Sequence, residues 1–324
     1  MGANHARIAQ DLPDVELVAV VDESVTVARR VARRMKVRPY SSVPEMLERE
    51  RPDIVAVAVP TAQHAQVAVA ALRAGAHVLV EKPIAADIRA ARALIRASAA
   101  ADRLLAVGHI ERFNPAVREL ARRLGRGEAG RIIKVHARRL SPFPERIQDV
   151  GVLVDLGTHD LDIMRSLLHV EAVRVWATSR RDPRRHHEDL VAATIQFPGG
   201  IIGLLEVDRL TPTKVRELSV LGDRGMFVVN YLTQELVFYE NSIVRARWEA
   251  LGNLVTGVGE GAINHYPIEH IEPLRAEWEA FVRAARGRRA SIVTGADALR
   301  TLELADAIRR SAESGRPQRV RHSA

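Results

Sequence analysis

Reactive side chains stand at a few positions whose spacing suits chemistry. Lys82 sits in Glu81-Lys82-Pro83, just past a short apolar run, and the proline fixes the backbone direction after it. Asp155 and His159 are four apart in Gly151-Val152-Leu153-Val154-Asp155-Leu156-Gly157-Thr158-His159-Asp160. In a helix that spacing shares one face, although Asp155 reads as the end of a loop and His159 as the first turn of the helix after it. Asp22 ends another apolar run, 20 residues after Gly2. An imidazole changes charge near neutral pH and can take a proton from a reacting group, with a lysine or carboxylate nearby to tune and orient it. Structural readings stand beside each: a surface lysine, a helix cap, a core histidine and, for Asp22, a cap on the next helix.

The elements that must position these residues change character along the chain. In the first part, apolar runs at Glu16–Val21, Asp53–Val59, His77–Val80 and Leu104–Val107 read as buried strands. Helical patterns of ten or more residues separate them, from Ser24 to Met35, Gln63 to Arg73 and Asp87 to Ala100. That alternation predicts a parallel sheet covered on both faces, whose ligands bind at the carboxyl ends of the strands. Asp22, Pro60-Thr61, Glu81-Lys82-Pro83 and Gly108-His109 lie there.

After about residue 125 strands follow one another with turns between them, at Arg131–Leu140, Ala172–Ser179, Leu190–Phe197, Ile201–Val207, Val215–Leu221 and Met226–Tyr231. Helices are expected at Thr158–Leu168, Glu272–Arg286 and Gly295–Ser314. The fold class is therefore α/β over 1–125, followed over 126–324 by an α+β domain with an open, mostly antiparallel sheet. Ile201, Ile202, Leu204, Leu205 and Val207 would make an uncovered face of that sheet an association surface.

Composition narrows the function classes. The chain has 324 residues, enough for two domains at roughly 150 each, and is 47% hydrophobic and 27% charged, as soluble globular proteins are. It has no cysteine, which excludes disulfides, iron–sulfur clusters, thiolate zinc sites and a thiol nucleophile. No apolar run reaches the length of a membrane span and the N-terminus lacks a signal-peptide core, so a cytoplasmic protein is expected. The net charge of +8 comes from arginines spread along the chain beside only four lysines, not from a basic stripe, and argues against nucleic acid. The densest run, Arg180 to His187, is broken by Asp182 and Pro183 and reads as a surface turn. His186-His187-Glu188-Asp189 has metal-site composition, but neighbours on a strand point to opposite faces, so no metal is expected.

A dinucleotide-binding sheet opens with a strand, G-x-G-x-x-G and a helix whose N-terminus faces the pyrophosphate. This sequence opens on the helix: Gly2 matches the last glycine, and the strand before it is absent. The expectation is a chain short by roughly a dozen N-terminal residues, its absent strand belonging between those that end near Asp22 and Val59. Asp22 stands where a carboxylate binds the adenosine ribose, which favours NAD over NADP.

Glu81-Lys82-Pro83, the Gly151 to Asp160 segment and Met1-Gly2-Ala3-Asn4-His5-Ala6 together resemble the Gfo/Idh/MocA oxidoreductases, over essentially the whole chain. Members have a Rossmann domain and a C-terminal α/β domain and oxidise sugars and inositols. Gly108 to Val117 and the helix start at Glu272-Pro273-Leu274 resemble the UDP-N-acetylglucosamine 3-dehydrogenases within it. The resemblance implies that Lys82, Asp155 and His159 surround the reacting hydroxyl, with Asp162 and His109 behind them. Gly2, Asn4, Asp22, Pro60, Thr61, His64, Glu81 and Lys82 would meet NAD, and Arg112 and Asn114 would join the three catalytic residues on a UDP-sugar. It further implies a homodimer or homotetramer. Another sugar or inositol dehydrogenase, and a non-catalytic truncated relative, remain the alternatives.

Overall fold

The computed structural model describes residues 1–142, 150–184, 186–241 and 260–322. In chain order the helices and strands begin α1 (Gly2–Asp11), β1 (Ala19–Val21), α2 (Val25–Met35), β2 (Arg38–Tyr40), α3 (Val43–Glu50), β3 (Ile54–Val57), α4 (His64–Arg73), β4 (His77–Glu81), α5 (Ile88–Ala101) and β5 (Leu105–Gly108). They continue with α6 (Pro115–Gly125), β6 (Ile132–Leu140), α7 (Thr158–Leu168), β7 (Arg174–Arg180), β8 (Leu190–Gln196), β9 (Ile202–Asp208), β10 (Val215–Gly222), β11 (Gly225–Asn230), β12 (Glu235–Asn241) and β13 (Glu260–Tyr266). The chain closes with α8 (Pro273–Ala285), α9 (Gly295–Ser314) and β14 (Gln318–Arg319). Among the described residues no helix is long and apolar enough to cross a membrane.

The chain forms two compact units, and they do not follow a single cut after residue 125. Unit 1 holds Met1–Phe113 with Glu272–Glu303, and unit 2 holds Asn114–Ile271 with Leu304–Arg321. Helix α8 belongs to unit 1 because its Leu274, Trp278 and Phe281 pack with Ile8 and Leu12 of α1 and Leu79 of β4.

In unit 1, β3, β4 and β5 form a parallel sheet with Val55 beside Val78 and Val80 beside Val107. Residues of β4 alternate between two cores: Val78 and Val80 pack with Ala68 and Leu72 of α4 and Leu94 of α5, while Leu79 packs with Ile8 and Phe281. Burial on both faces is why these strands read as unbroken apolar runs. Ser24 caps α2 and Asp87 caps α5 through their side-chain oxygens. Strand β1 pairs only with β2, β3 pairs only with β4, and no ladder joins β1 to β3 among the described residues. Accordingly β1 is three residues long and half-buried, where a buried strand over Glu16–Val21 was expected. The sequence reading also passed over β2, too short and too polar to show a pattern. It passed over α3 as well, whose Ser42 cap and first-turn Pro44 do signal a helix.

In unit 2, nine strands of the described residues form one sheet in the order β13-β12-β11-β10-β6-β9-β8-β7-β14. Only β6 and β9 run parallel. Val135 and Ala137, Leu205 and Val207, and Phe227 and Val229 point to the inner face, against Leu120 of α6 and Leu161 and Met164 of α7. Leu205 and Val207 therefore belong to the core and not to an association face, while Ile202 and Leu204 point outward. One register row of the outer face runs Trp176, Thr194, Leu204, His136, Ser219, Val228, with Trp176 49% exposed. Strands β12, β13 and β14 lie beyond the last strand read from the sequence.

An edge without ladder partners leaves backbone amides open to exchange. Amides of Ala19 and Val21, which the pairing with β2 turns to the edge, should exchange about tenfold or more faster than those of Val78–Val80 in NMR hydrogen exchange. Equal protection would mean that the β1 edge is covered.

Candidate active site

In unit 1 the carboxyl end of β4 delivers Glu81 and then Lys82, joined to Pro83 by a cis peptide bond. Glu81 is buried and accepts from two sides: His5 Nε2 lies 2.8 Å from Oε1, and the Lys82 N–H donates to Oε2 at 3.2 Å. A Cβ at Gly108 would stand 3.2 Å from Oε2, so glycine there leaves the carboxylate its place. Burial pushes the Glu81 carboxyl up, but the His5 hydrogen bond and the charge and N–H of Lys82 outweigh it and hold it below the usual range. Trp278 Nε1 donates to His5 Nδ1 at 3.0 Å. Glu277, the neighbour of Trp278 on α8, is 2% exposed, and neither carboxyl oxygen has a hydrogen-bond partner. Burial first, and the Glu81 charge second, push its carboxyl well above 4.5, so it stays protonated.

The turn after β3 is tied to this one. His64 is buried, with Nδ1 2.8 Å from the Pro83 carbonyl and Nε2 2.9 Å from the Val59 carbonyl. Whichever ring nitrogen carries the proton donates to one of the two carbonyls, which braces the turn after β3 against Lys82-Pro83. Arg112 is half-buried, 3.9 Å from Asp297.

At the front of unit 1, α1 starts at Gly2 with no side-chain cap and no acidic residue in its first turn. The Asn4 N–H donates to the Met1 carbonyl at 2.7 Å, while helix geometry leaves the N–H groups of Gly2 and Ala3 without partners inside the helix, and Gly2 and Asn4 are exposed. Asp22 uses Oδ1 to accept the Ser24 N–H at 2.9 Å, so it steadies the turn before α2 while Ser24 itself caps the helix, and among the described residues no hydrogen bond engages Oδ2. An uncapped helix N-terminus suits the diphosphate of a dinucleotide and a half-engaged carboxylate suits its ribose, so these residues fit NAD.

In unit 2, Asp155 lies not in a loop but in a π-helical turn, Leu153–Gly157, that runs directly into α7. Asp155 and His159 are thus four apart on one helical run, both half-buried. Such turns are rare and cluster at functional sites. The Thr158 hydroxyl donates to the Val154 carbonyl at 2.8 Å and steadies the widened turn. Arg209, 3% exposed at the end of β9, donates to Asp155 Oδ2 at 2.9 Å and to the Val150 carbonyl at 3.1 Å. The Glu188 carboxylate accepts the Leu153 N–H, and a Cβ at Gly151 would meet that carboxylate, so a larger residue there would push Glu188 aside. Asp189 accepts the Asp182 N–H. The acidic half of the His186 to Asp189 run therefore builds the loop beside the π turn. Asp160 is fully buried under Arg139, which donates to it at 2.6 and 3.1 Å.

Asn114 is 2% exposed: its Oδ1 caps α6 through the Ala116 N–H and its Nδ2 donates to the Tyr231 carbonyl. The bond to the Ala116 N–H is the helix-start role read for it. Local sequence gives no signal for His5, Trp278, Glu277 or Arg209 as site residues: Trp278 has the look of core, and Arg209 is one arginine among many.

Residues 1–109 match the oxidoreductase family Gfo/Idh/MocA, NAD-binding Rossmann fold, and residues 122–320 match its C-terminal alpha/beta domain. The chain is 31% identical to UDP-N-acetylglucosamine 3-dehydrogenase of Acidithiobacillus ferrooxidans, over 92% of this chain and 90% of that one. It is 27% identical to scyllo-inositol 2-dehydrogenase (NAD(+)) of Bacillus subtilis, over 98% and 92%. A solved structure of the Acidithiobacillus enzyme superposes with a TM-score of 0.83, covering 96% of this chain and 94% of the other at 27% identity.

Between 4.5 and its raised folded value, Glu277 binds a proton in the native chain that the unfolded chain has lost. Its contribution to stability therefore falls as pH rises. Glu277→Gln does not titrate, so its melting temperature should gain steadily on the wild type as pH rises above 4.5. A constant difference would mean that Glu277 titrates normally.

Proposed function

Because the chain belongs to the Gfo/Idh/MocA oxidoreductase family, we propose that it oxidises a secondary alcohol on a sugar with NAD, at C3 of UDP-N-acetylglucosamine. The observation that carries this reading is the likeness to the Acidithiobacillus enzyme along 92% of the chain, in sequence and in fold. An inositol substrate is the second reading, favoured by the 27% identity to the Bacillus enzyme over 98% of the chain.

NAD, when bound, supplies the hydride acceptor. The chain's own residues handle the proton. His159 takes it from the reacting hydroxyl, and Asp155, held by Arg209, orients the imidazole and stabilises its charged form. Lys82 donates a hydrogen bond to the same oxygen and stabilises the negative charge that develops there. Arg112 supplies positive charge for the diphosphate of the substrate. Asp22 takes the ribose and repels the 2′-phosphate of NADP. The first turn of α1 receives the pyrophosphate, with Gly2 and Asn4 beside it, and Pro60 and Thr61 line the cofactor's path.

His159→Asn and Lys82→Met should each lower turnover on UDP-N-acetylglucosamine by about 100-fold or more, with NAD affinity nearly intact. UDP should compete with the sugar nucleotide. Near-wild-type turnover in either variant overturns that residue's role, and turnover of free inositols that UDP does not inhibit overturns the substrate.

The outer face of the unit 2 sheet is where copies of this chain associate. Leu204→Glu with Trp176→Glu should convert a dimer or tetramer to monomers in light scattering. A wild-type chain that is monomeric at micromolar concentration contradicts this.

A further inference from the structure

The Glu81-Lys82-Pro83 turn is held from behind by two residues that no sequence pattern joins to it. We infer that Trp278 and His5 are positioning residues for Lys82, acting through the Glu81 carboxylate. The inference rests on the reading of Lys82 given above.

An indole N–H can only donate. Trp278 Nε1 lies 3.0 Å from His5 Nδ1, so Nδ1 is the acceptor and carries no proton. A neutral imidazole has one N–H, and here it stands on Nε2. That nitrogen is 2.8 Å from Glu81 Oε1 and therefore donates to it. The other carboxylate oxygen accepts the backbone N–H of Lys82 at 3.2 Å. The chain of donors runs from α8 through α1 to the end of β4, and it ends on the peptide that carries the lysine.

Mere packing does not ask for this arrangement. His5 and Trp278 are each 3% exposed and Glu81 is 9% exposed, so three polar groups sit where apolar side chains would fill the space. Taking a carboxylate out of water costs on the order of several kcal/mol unless donors meet it. Glu277 beside them is the neutral partner: burial and the Glu81 charge keep it protonated, which leaves Glu81 as the anion next to Lys82. An ionised, doubly held carboxylate fixes both where the lysine backbone starts and what charge lies beside its ammonium.

The test uses the full chain with NAD and UDP-N-acetylglucosamine, beside ¹⁵N NMR of the histidine rings. Wild type should show His5 as the Nε2–H tautomer. Trp278→Phe keeps an aromatic ring and removes the donor, so the ¹⁵N resonance of His5 Nδ1 should shift. Its kcat should fall about tenfold while KM for NAD and for the sugar stay within about twofold. His5→Gln puts an amide donor near the place of Nε2 and should keep kcat several-fold above that of His5→Leu, which cannot donate. An Nδ1–H tautomer in the wild type, an unchanged kcat in Trp278→Phe, or equal kcat in the two His5 variants overturns the inference. Lys82→Met in the same series separates the two failures. If it too retains turnover, the role of Lys82 falls and the positioning role with it; if it alone is inactive, only the positioning role falls.

Discussion

The Glu81 carboxylate stands at the end of a buried strand with donors on both oxygens, and much of unit 1 is arranged so that it can. Helix α1 brings His5 to one oxygen, the Lys82 N–H closes the other, and Gly108 on the adjacent strand leaves room. Helix α8 lies far along the sequence yet packs on α1 and β4 through Phe281 and Trp278, and so presents the indole N–H to His5. A buried anion is tolerated only where donors of this kind surround it. The apolar contacts of α1 and α8 therefore serve the polar chain that runs through them.

Unit 2 handles its own acidic residue by a different device. Asp155 rides on a π turn whose start is pinned by the Glu188 carboxylate and whose continuation, α7, is anchored by the buried Arg139–Asp160 pair. Arg209 reaches Asp155 from the end of β9. Each unit thus spends buried charge at the carboxyl end of a strand or the start of a helix. The family match covers both, with its NAD-binding Rossmann fold over residues 1–109 and its C-terminal domain over 122–320.

Much of this was legible, for physical reasons. Strands β4 and β5 announce themselves because both faces are covered, and α9 was read with its observed limits because its pattern is long and periodic. Glu81, Lys82, Asp155 and His159 stood out through local motifs. What escaped was non-local. Nothing near Trp278 in the sequence marks its bond to a residue 273 positions away, and nothing near Arg209 marks its bond to Asp155. Asn114 and His64 show the converse: side chains of functional type at helix starts, with Asn114 serving as a helix cap and His64 set between two backbone carbonyls. The π turn is invisible in spacing alone, since residues four apart lie near one face in an α-helix and in a π turn alike.

We propose that this chain removes hydride from C3 of a UDP-linked N-acetylglucosamine. The direct measurement is to supply the substrate deuterated at C3 alone, with NAD, and to weigh the reduced cofactor by mass spectrometry. The account predicts one deuterium in NADH for each turnover, and a slower reaction than with the protiated sugar if hydride transfer limits the rate. NADH that forms without deuterium, or no reduction with this sugar while a free inositol is oxidised, would contradict it.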